Sequence, residues 1–397
     1  MIITPSIRSN IFTNSHPLGC QEFVLSQIRE VKQQPQFVGP KNVLILGGSS
    51  GYGLASRIAL AFGANANTIN VSFESAPKGK RSGTAGWWNN IYFQEAAKET
   101  GRIHKDFVGD AFAQSMREDV IAYLLQKNIK VDLVIYSLAA GARKDDKTGE
   151  TVRSHIKTIG GASIGKTIDV SKKMIEPLVV EDANQTEIDE TVYVMGGSAW
   201  KDWIDELDHH NLLAKHVKTI SYTYIGGPTT AKIYRNGTLG KAKEDLENTA
   251  RNMHDYLADK YQGEALISSS KAVVTKASVF IPQMPIYVSC LYDVMMRHNV
   301  HESIVMHKFR LFKDMVYGNN RILDNKGRIR LDHLEMQEPI QTETVKLMSS
   351  LSDEELFKLD GTNAFFKEFY QIHGFDFDTI DYETPVDLSI LAKRQPE

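Results

Sequence analysis

Between Ser221 and Lys243 the chain reads SYTYIGGPTTAKIYRNGTLGKAK, which gathers Tyr222, Tyr224, Tyr234, Lys241 and Lys243 into one short stretch. A phenol can donate a proton to an oxygen that is gaining negative charge, and a neighbouring ammonium can hold a ribose hydroxyl and ease that transfer. Such a pair suits a reductase that works beside a nicotinamide. Tyr234 and Lys243 are 9 residues apart. At about 100° per residue that is roughly 900°, which sets them on opposite faces of one straight helix. Lys241 shares the face of Tyr234 only if the helix runs on through Asn236-Gly237 and Gly240. A helix that begins after Gly240 instead leaves Tyr234 on a loop and lets Lys243 point from the first turn toward the same place. Spacing alone leaves both lysines open, and a solvated helix face is the ordinary fate of either. Tyr224 precedes Tyr234 by 10 residues, at the carboxyl end of an expected strand. Ser221 lies roughly 10 Å deeper in that strand and is a weaker candidate.

A second group of residues suits a phosphate. Gly47-Gly-Ser-Ser-Gly-Tyr-Gly53 joins the apolar run Asn42–Leu46 to a helical stretch. Glycines at 47, 51 and 53 permit a tight turn and let the backbone approach a pyrophosphate at a helix N-terminus, where N–H groups and the helix dipole face negative charge. The spacing G-x-x-x-G-x-G resembles that of short-chain dehydrogenase/reductase-like proteins. Glu74 follows Gly53 by 21 residues, after Phe73 at the end of the next strand. A carboxylate there accepts from both adenosine ribose hydroxyls and repels a 2′-phosphate, which favours NADH over NADPH. Lys78, Lys80 and Arg81 come soon after and are suited to the opposite preference. Asp110-Ala111 and Leu138-Ala139 sit at two further carboxyl strand ends, the edge along which such sheets bind ligands.

The elements that must position these residues alternate. Strands are expected at 42–46, 67–73, 103–108, 131–137, 217–224 and 266–269, and helices at 54–62, 90–99, 116–127 and 241–261. Strand–helix alternation predicts a doubly wound parallel sheet, an α/β fold of Rossmann type. Residues 1–40 read as an N-terminal extension with a helix at 21–33, and 41–280 as the dinucleotide-binding core. Residues 141–191 read as a hairpin-bearing excursion at the rim of that core. Residues 281–397 are expected to be mostly helical and to cover the substrate side, with a hairpin around Asn325-Lys-Gly327. The expectation is one enlarged domain.

The chain has 397 residues, 46 Lys plus Arg against 49 Asp plus Glu, and two cysteines, Cys20 and Cys290. A net charge of −3 gives no electrostatic footprint for nucleic acid or an anionic membrane. No apolar run reaches membrane-helix length, no signal peptide is visible, and two isolated cysteines fit a reducing cytoplasm. His16 and Cys20 are too few for a metal site, so no metal is expected.

The chain resembles the FabV-type enoyl-acyl-carrier-protein reductases and the trans-2-enoyl-CoA reductases. The resemblance rests on His16-Pro-Leu-Gly-Cys20, Gly51-Tyr-Gly-Leu-Ala-Ser-Arg57, Gly83-Thr-Ala-Gly-Trp87 and Gly109-Asp-Ala-Phe112. It continues through Tyr136-Ser-Leu-Ala139, Val194-Met-Gly-Gly197, Gly240-Lys-Ala-Lys-Glu-Asp-Leu246, Val274-Thr-Lys-Ala-Ser278 and Ile281-Pro282. Tyr234 and Lys243 fit that family's Tyr-x8-Lys pattern. The resemblance implies Tyr234 as proton donor, Tyr224 as a substrate contact and Lys243 as the catalytic lysine. It implies an NADH site formed by Gly47, Gly48, Ser49, Ser50, Gly51, Tyr52, Phe73, Glu74, Asp110, Ala111, Leu138, Ala139, Lys243, Val273, Val274 and Thr275. It further implies a monomeric, cytoplasmic enzyme acting on enoyl-CoA or enoyl acyl-carrier protein in fatty-acid synthesis or reductive acyl metabolism. Short-chain ketoreductases carry a serine where enoyl reductases carry an aromatic such as Tyr224. Ala140-Gly141-Ala142-Arg143 departs from the family's usual Ser-Pro before an arginine, on a loop expected to face substrate. The rival readings are a short-chain-type 3-ketoacyl reductase and a non-catalytic NADH-sensing Rossmann protein.

Overall fold

The computed structural model describes residues 1–138, 140–145 and 148–397. Ala139, expected at the cofactor site, lies outside the described residues.

Asn42–Leu46 (β1) shows why the central sheet forms. Val43 and Ile45 turn to one face and Leu44 and Leu46 to the other, and all four are buried. A strand covered on both faces must be apolar throughout, which is the signature of a parallel sheet between helices. The sheet continues with Asn67–Ser72 (β2), His104–Val108 (β3), Val131–Tyr136 (β4), Leu213–Thr223 (β5), Glu264–Ser269 (β6) and Ile329–Arg330 (β7). Among the described residues these seven strands pair in parallel, in the order β7-β6-β5-β4-β1-β2-β3. The order reverses at β1, so the crevice beyond β1 and β4 is where a ligand belongs.

Pro17–Lys32 (α1), Gly51–Ile58 (α2) and Ala85–Ala97 (α3) cover one face, where Val24, Leu54, Ile58 and Trp88 meet Val43 and Ile45. Gln114–Gln126 (α4) and the later helices Ser198–His209 and Thr238–Tyr261 cover the other. There Leu124, Trp200, Trp203, Leu246 and Met253 meet Leu44, Leu46 and Val134. Gln185–Met195 (α5) packs beside this layer and precedes Ser198–His209 (α6); it starts at a capping box of Asn184 and Glu187. Pro228–Ala231 (α7) and Thr238–Tyr261 (α8) follow β5. Met284–Arg297 (α9), Ile304–Arg310 (α10), Glu338–Ser350 (α11), Asp353–Leu356 (α12) and Asp360–Gln371 (α13) are the main helices of the C-terminal part. A third core gathers Tyr287, Leu291, Ile340, Phe365 and Phe369 of these helices around Tyr224 and Tyr234.

Several boundaries differ from the sequence reading. Helix α8 begins at Thr238, not after Gly240. Gly240 is a contact glycine within the first turn, since a Cβ there would lie 1.9 Å from the carbonyl oxygen of Arg235. Helix α2 starts at Gly51 and continues as a π-helical turn over Ala59–Gly63. The excursion after β4 carries two hairpins, 142–144 with 151–153 and 163–169 with 174–180. The turn at Asn325-Lys-Gly327 is present, with Leu323 bridging Ile329, but its outgoing arm also adds β7 to the sheet. Among the described residues no helix is long and apolar enough to cross a membrane.

Candidate active site

The glycine turn is built by close approach. Gly47 has φ +93°, and a Cβ there would meet the Ser137 carbonyl oxygen at 2.3 Å. A Cβ on Gly53 would meet the Gly47 oxygen at 1.9 Å, so helix and turn touch backbone to backbone. The amides of Gly47 and Gly48 are used inside the protein, by the Val71 carbonyl at 2.8 Å and the Asn70 Oδ1 at 2.8 Å. Asn70 is itself fixed, donating to Asp106 at 2.6 Å, and Asp106 pairs with Arg57 at 2.8 Å in a fully buried network. The polar face of β2 thus carries a lattice of hydrogen bonds that holds the turn. Ser49, Ser50, Gly51 and Tyr52 occupy the open N-terminal end of α2, the place for a pyrophosphate.

Glu74 stands beside that end. Its carboxylate accepts from Ser49 Oγ at 2.6 Å and from Thr84 Oγ1. A carboxylate has about four acceptor sites, so two such bonds orient it and leave room for ribose hydroxyls. Phe73 is 80% exposed next to it. Lys78, Lys80 and Arg81 are exposed on the following turn. Across the edge, Asp110 accepts the Phe112 amide at 2.9 Å, and the Ala111 carbonyl is taken by Trp203 at 2.9 Å.

The second half of the site is a cleft of about 140 Å³ at the carboxyl ends of β4, β5 and β6. Tyr52, Leu138, Tyr224, Tyr234, Lys243, Val273 and Thr275 line it together with Tyr222, Thr223, Ser278, Ile281 and Met284. Tyr224 and Tyr234 meet edge to face, ring centroids 4.9 Å apart. Tyr224 Oη donates to the buried Glu335 at 3.1 Å, whereas among the described residues no partner holds the Tyr234 hydroxyl. Burial raises the pKa of both phenols, so each keeps its proton at neutral pH.

Lys243 sends its amine to the Tyr222 carbonyl oxygen at 3.2 Å. Loss of water pulls its pKa down to about 8, partly opposed by Glu247. Lys241 is exposed and pairs with Glu244 at 3.1 Å. The structure thus places Lys243 on the wall of the cleft that Tyr234 also lines and turns Lys241 to solvent, even though α8 runs through Gly240. Tyr234 precedes the helix, so the opposite-face argument for a single helix does not apply.

The loop after β6 completes the wall. Thr275 N–H donates to Ser278 Oγ at 2.8 Å, and Ser278 N–H to Thr275 Oγ1 at 3.0 Å. Thr275 faces Gly51 across the cleft, within 3.4 Å of where its Cβ would stand. The Val274 side chain packs into the third core, between Val273 and Thr275 on the cleft wall. Deeper groups escaped the sequence reading. Lys308 is fully buried, with its amine 3.6 Å from the Tyr222 ring centre and 4.2 Å from that of Tyr52, donating to Ser270 Oγ at 2.7 Å. Burial holds its pKa well below the usual lysine range. Glu335 and Tyr287 lie behind Tyr224 and come from segments more than 50 residues downstream of it.

The donor set fits a nicotinamide dinucleotide. The open end of α2, the oriented Glu74 and the Lys243 amine form one continuous edge, and the buried Thr223 hydroxyl on the cleft wall has no protein partner among the described residues. His16 plays a structural part, its Nδ1 accepting the Gly19 amide at 3.2 Å to cap α1.

A Rossmann-type sheet with a glycine turn, a carboxylate just beyond β2 and a Tyr–Lys cleft is the architecture of a nicotinamide-dependent oxidoreductase. Three family models match successive parts of the chain. They are the NAD(P)H binding domain of trans-2-enoyl-CoA reductase over residues 2–79, the trans-2-enoyl-CoA reductase catalytic region over 81–317, and an enoyl reductase FAD binding domain over 323–386. The chain belongs to the trans-2-enoyl-CoA reductase family. It is 44% identical to the trans-2-enoyl-CoA reductase (NADH) of Clostridium acetobutylicum, over 100% of both chains. It is 43% identical to an enoyl-acyl-carrier-protein reductase (NADH) of Coxiella burnetii, over 98% of this chain and 96% of that one. Its structure is similar to the crystal structure of the Clostridium enzyme in complex with NADH, with TM-score 0.97 at 43% identity over 100% of both chains. The Treponema denticola enzyme in complex with NAD follows at TM-score 0.92 and 39% identity, over 97% of this chain and 98% of that one.

Residues 323–386 do not fit the flavin in the third description. Their glycines, Gly327, Gly361 and Gly374, are isolated, and none joins a strand to a helix. The apolar side chains Ile340, Phe365 and Phe369 are packed against α9.

Proposed function

We propose that this chain reduces the C2=C3 double bond of trans-2-enoyl thioesters with NADH. The observation that carries the reading is a cleft lined by Tyr234, Tyr224 and Lys243, in which among the described residues no partner holds the Tyr234 hydroxyl. When bound, NADH supplies the hydride, which adds at the β-carbon. Negative charge then develops on the thioester oxygen, where Tyr234 donates a hydrogen bond and its proton. Tyr224 packs edge-on against Tyr234 and limits where the acyl group can lie. Lys243 holds the nicotinamide ribose and places a positive charge beside the phenol, which favours proton release. Glu74 accepts from the adenosine ribose, Phe73 flanks the adenine, and Ser49 to Tyr52 face the pyrophosphate. Asp110, Ala111, Leu138, Val273 and Thr275 border the same edge.

An aromatic residue at 224, in place of the serine that ketoreductases carry, supports double-bond reduction. The relatives include both a trans-2-enoyl-CoA reductase and an enoyl-acyl-carrier-protein reductase. The test is NADH oxidation with crotonyl-CoA, a long enoyl-CoA, an enoyl carrier protein and acetoacetyl-CoA. Turnover of an enoyl thioester but not of acetoacetyl-CoA is expected. Preferred turnover of acetoacetyl-CoA, or NADH binding without any turnover, overturns the reading.

We infer further that the chain works as one enlarged domain, because β7 from the C-terminal part pairs with β6 of the core sheet. A monomer in the cytoplasm is the family expectation; sedimentation and cell fractionation test it.

A further inference from the structure

We propose that Glu335 is a positioning residue for Tyr224: its protonation decides whether the Tyr224 hydroxyl spends its hydrogen on Glu335 or turns it toward the substrate oxygen. The inference rests on the enoyl-reductase reading above. Glu335 is fully buried. Its Oε1 accepts from Tyr224 Oη at 3.1 Å and from Tyr287 Oη at 2.7 Å, and its Oε2 accepts the Ala272 amide at 2.7 Å. An ionised carboxylate only accepts, so in that state both phenols give it their hydrogens. Tyr224 then lines the cleft with its lone pairs alone, the wrong polarity for an oxygen gaining negative charge.

A protonated Glu335 has one hydrogen to give. Tyr287 already accepts from Gln341 Nε2 at 2.9 Å, so its own hydrogen remains for the carboxyl group. The Glu335 hydrogen therefore goes to Tyr224, whose O–H is released into the cleft. No covalent bond other than O–H is involved, and the proton on Glu335 comes from solvent.

The surroundings leave the choice balanced. Lys271 from the loop after β6 and Arg330 from β7 favour the carboxylate, and Asp332 on its own segment opposes it. The neutral phenols of Tyr52, Tyr224 and Tyr287 also face it, and Thr230 of α7 reaches the Tyr224 hydroxyl. Burial outweighs the hydrogen bonds and raises the Glu335 pKa to about 7.

Glu335→Gln imitates the protonated state. The amide oxygen can accept from Ala272 and the NH₂ can donate to Tyr224, which frees the Tyr224 hydrogen permanently, while Tyr287 loses the acceptor that the carboxyl group gives it in either state. The experiment is kcat/KM for crotonyl-CoA with saturating NADH from about pH 5 to 9, in wild type, Glu335→Gln and Tyr224→Phe. Wild type should lose activity as pH rises through about 7, approaching tenfold per unit of pH, roughly the slope of a single ionisation. Glu335→Gln should keep the low-pH rate and lack that limb, and Tyr224→Phe should be slow and lack it too. A limb that survives in Glu335→Gln, or that wild type never shows, overturns the proposal. Should Glu335→Gln fail to fold, persistence of the limb in Tyr224→Phe overturns it equally. A readout free of turnover separates this from the function itself. Difference infrared spectra should show a carboxyl C=O band, absent from Glu335→Gln, whose midpoint rises in Tyr224→Phe because a donor to the ionised form is lost. An unmoved midpoint sinks the coupling even if no enoyl thioester is reduced.

Discussion

Tyr234 differs from its neighbour Tyr224 in one respect that matters for chemistry: among the described residues no partner holds its hydroxyl. Tyr234→Phe is therefore expected to remove the donor without creating an unpaired partner. Turnover should fall by about 100- to 1000-fold, the usual cost of losing a donor to a developing oxyanion. NADH affinity, read by fluorescence titration, should stay close to wild type; a variant with most of its rate intact would remove Tyr234 from the donor role. Lys243 titrates near 8 in the free protein because burial disfavours its charge. NADH affinity should then weaken as pH rises through about 8, since the cation beside the ribose is lost. Lys243→Ala should show weaker binding that no longer depends on pH there, and Lys241→Ala should behave as wild type. If the Lys241 variant is the more damaged of the two, the cleft lysine is misassigned.

The elements were legible to the degree that their pattern is local. Buried strands such as Asn42–Leu46 announce themselves as apolar runs between turn residues, and the glycine turn follows directly from that placement. Gly240 misled because a glycine that permits contact looks the same in sequence as one that ends a helix. Strand β7 was missed because two residues carry no period. Glu335 and Lys308 could not be found, since a lone charged residue acquires meaning only from partners far along the chain. Two predictions belong to this scale. Gly53→Ala forces a methyl group onto the Gly47 carbonyl, so α2 must shift. A loss of about 1–3 kcal/mol in stability, the range for overpacking, and weaker NADH binding are expected by calorimetry and titration. Glu74→Ser removes the carboxylate that Ser49 and Thr84 hold in place. The ratio of kcat/KM for NADPH to that for NADH should rise in this variant, with Lys78, Lys80 and Arg81 at hand for the extra phosphate. Wild type that uses both cofactors equally would contradict the role given to Glu74.

At the scale of the whole molecule, Glu335 links the helical part to folding stability. Its pKa rises from 4.5 to about 7 on folding, so the native state holds more protons than the unfolded chain between those values. Stability contributed by this group is present at low pH and falls as pH rises from about 4.5 to about 7. Urea melts of Glu335→Gln should show a flatter dependence across that window than wild type; identical slopes would mean that the carboxyl group ionises freely. The position of β7 and Glu335 in the chain also bears on synthesis. The edge of β6 is open from Ser269 until Ile329 has been made, an interval of several seconds at about 5–20 residues per second. The glycine turn, Tyr224, Tyr234 and Lys243 all leave the ribosome before the residues that orient Tyr224. A nascent chain can thus acquire its cofactor edge well before its reactive centre is set, and a ribosome stalled before residue 335 would display a dinucleotide binder with an unfinished catalyst.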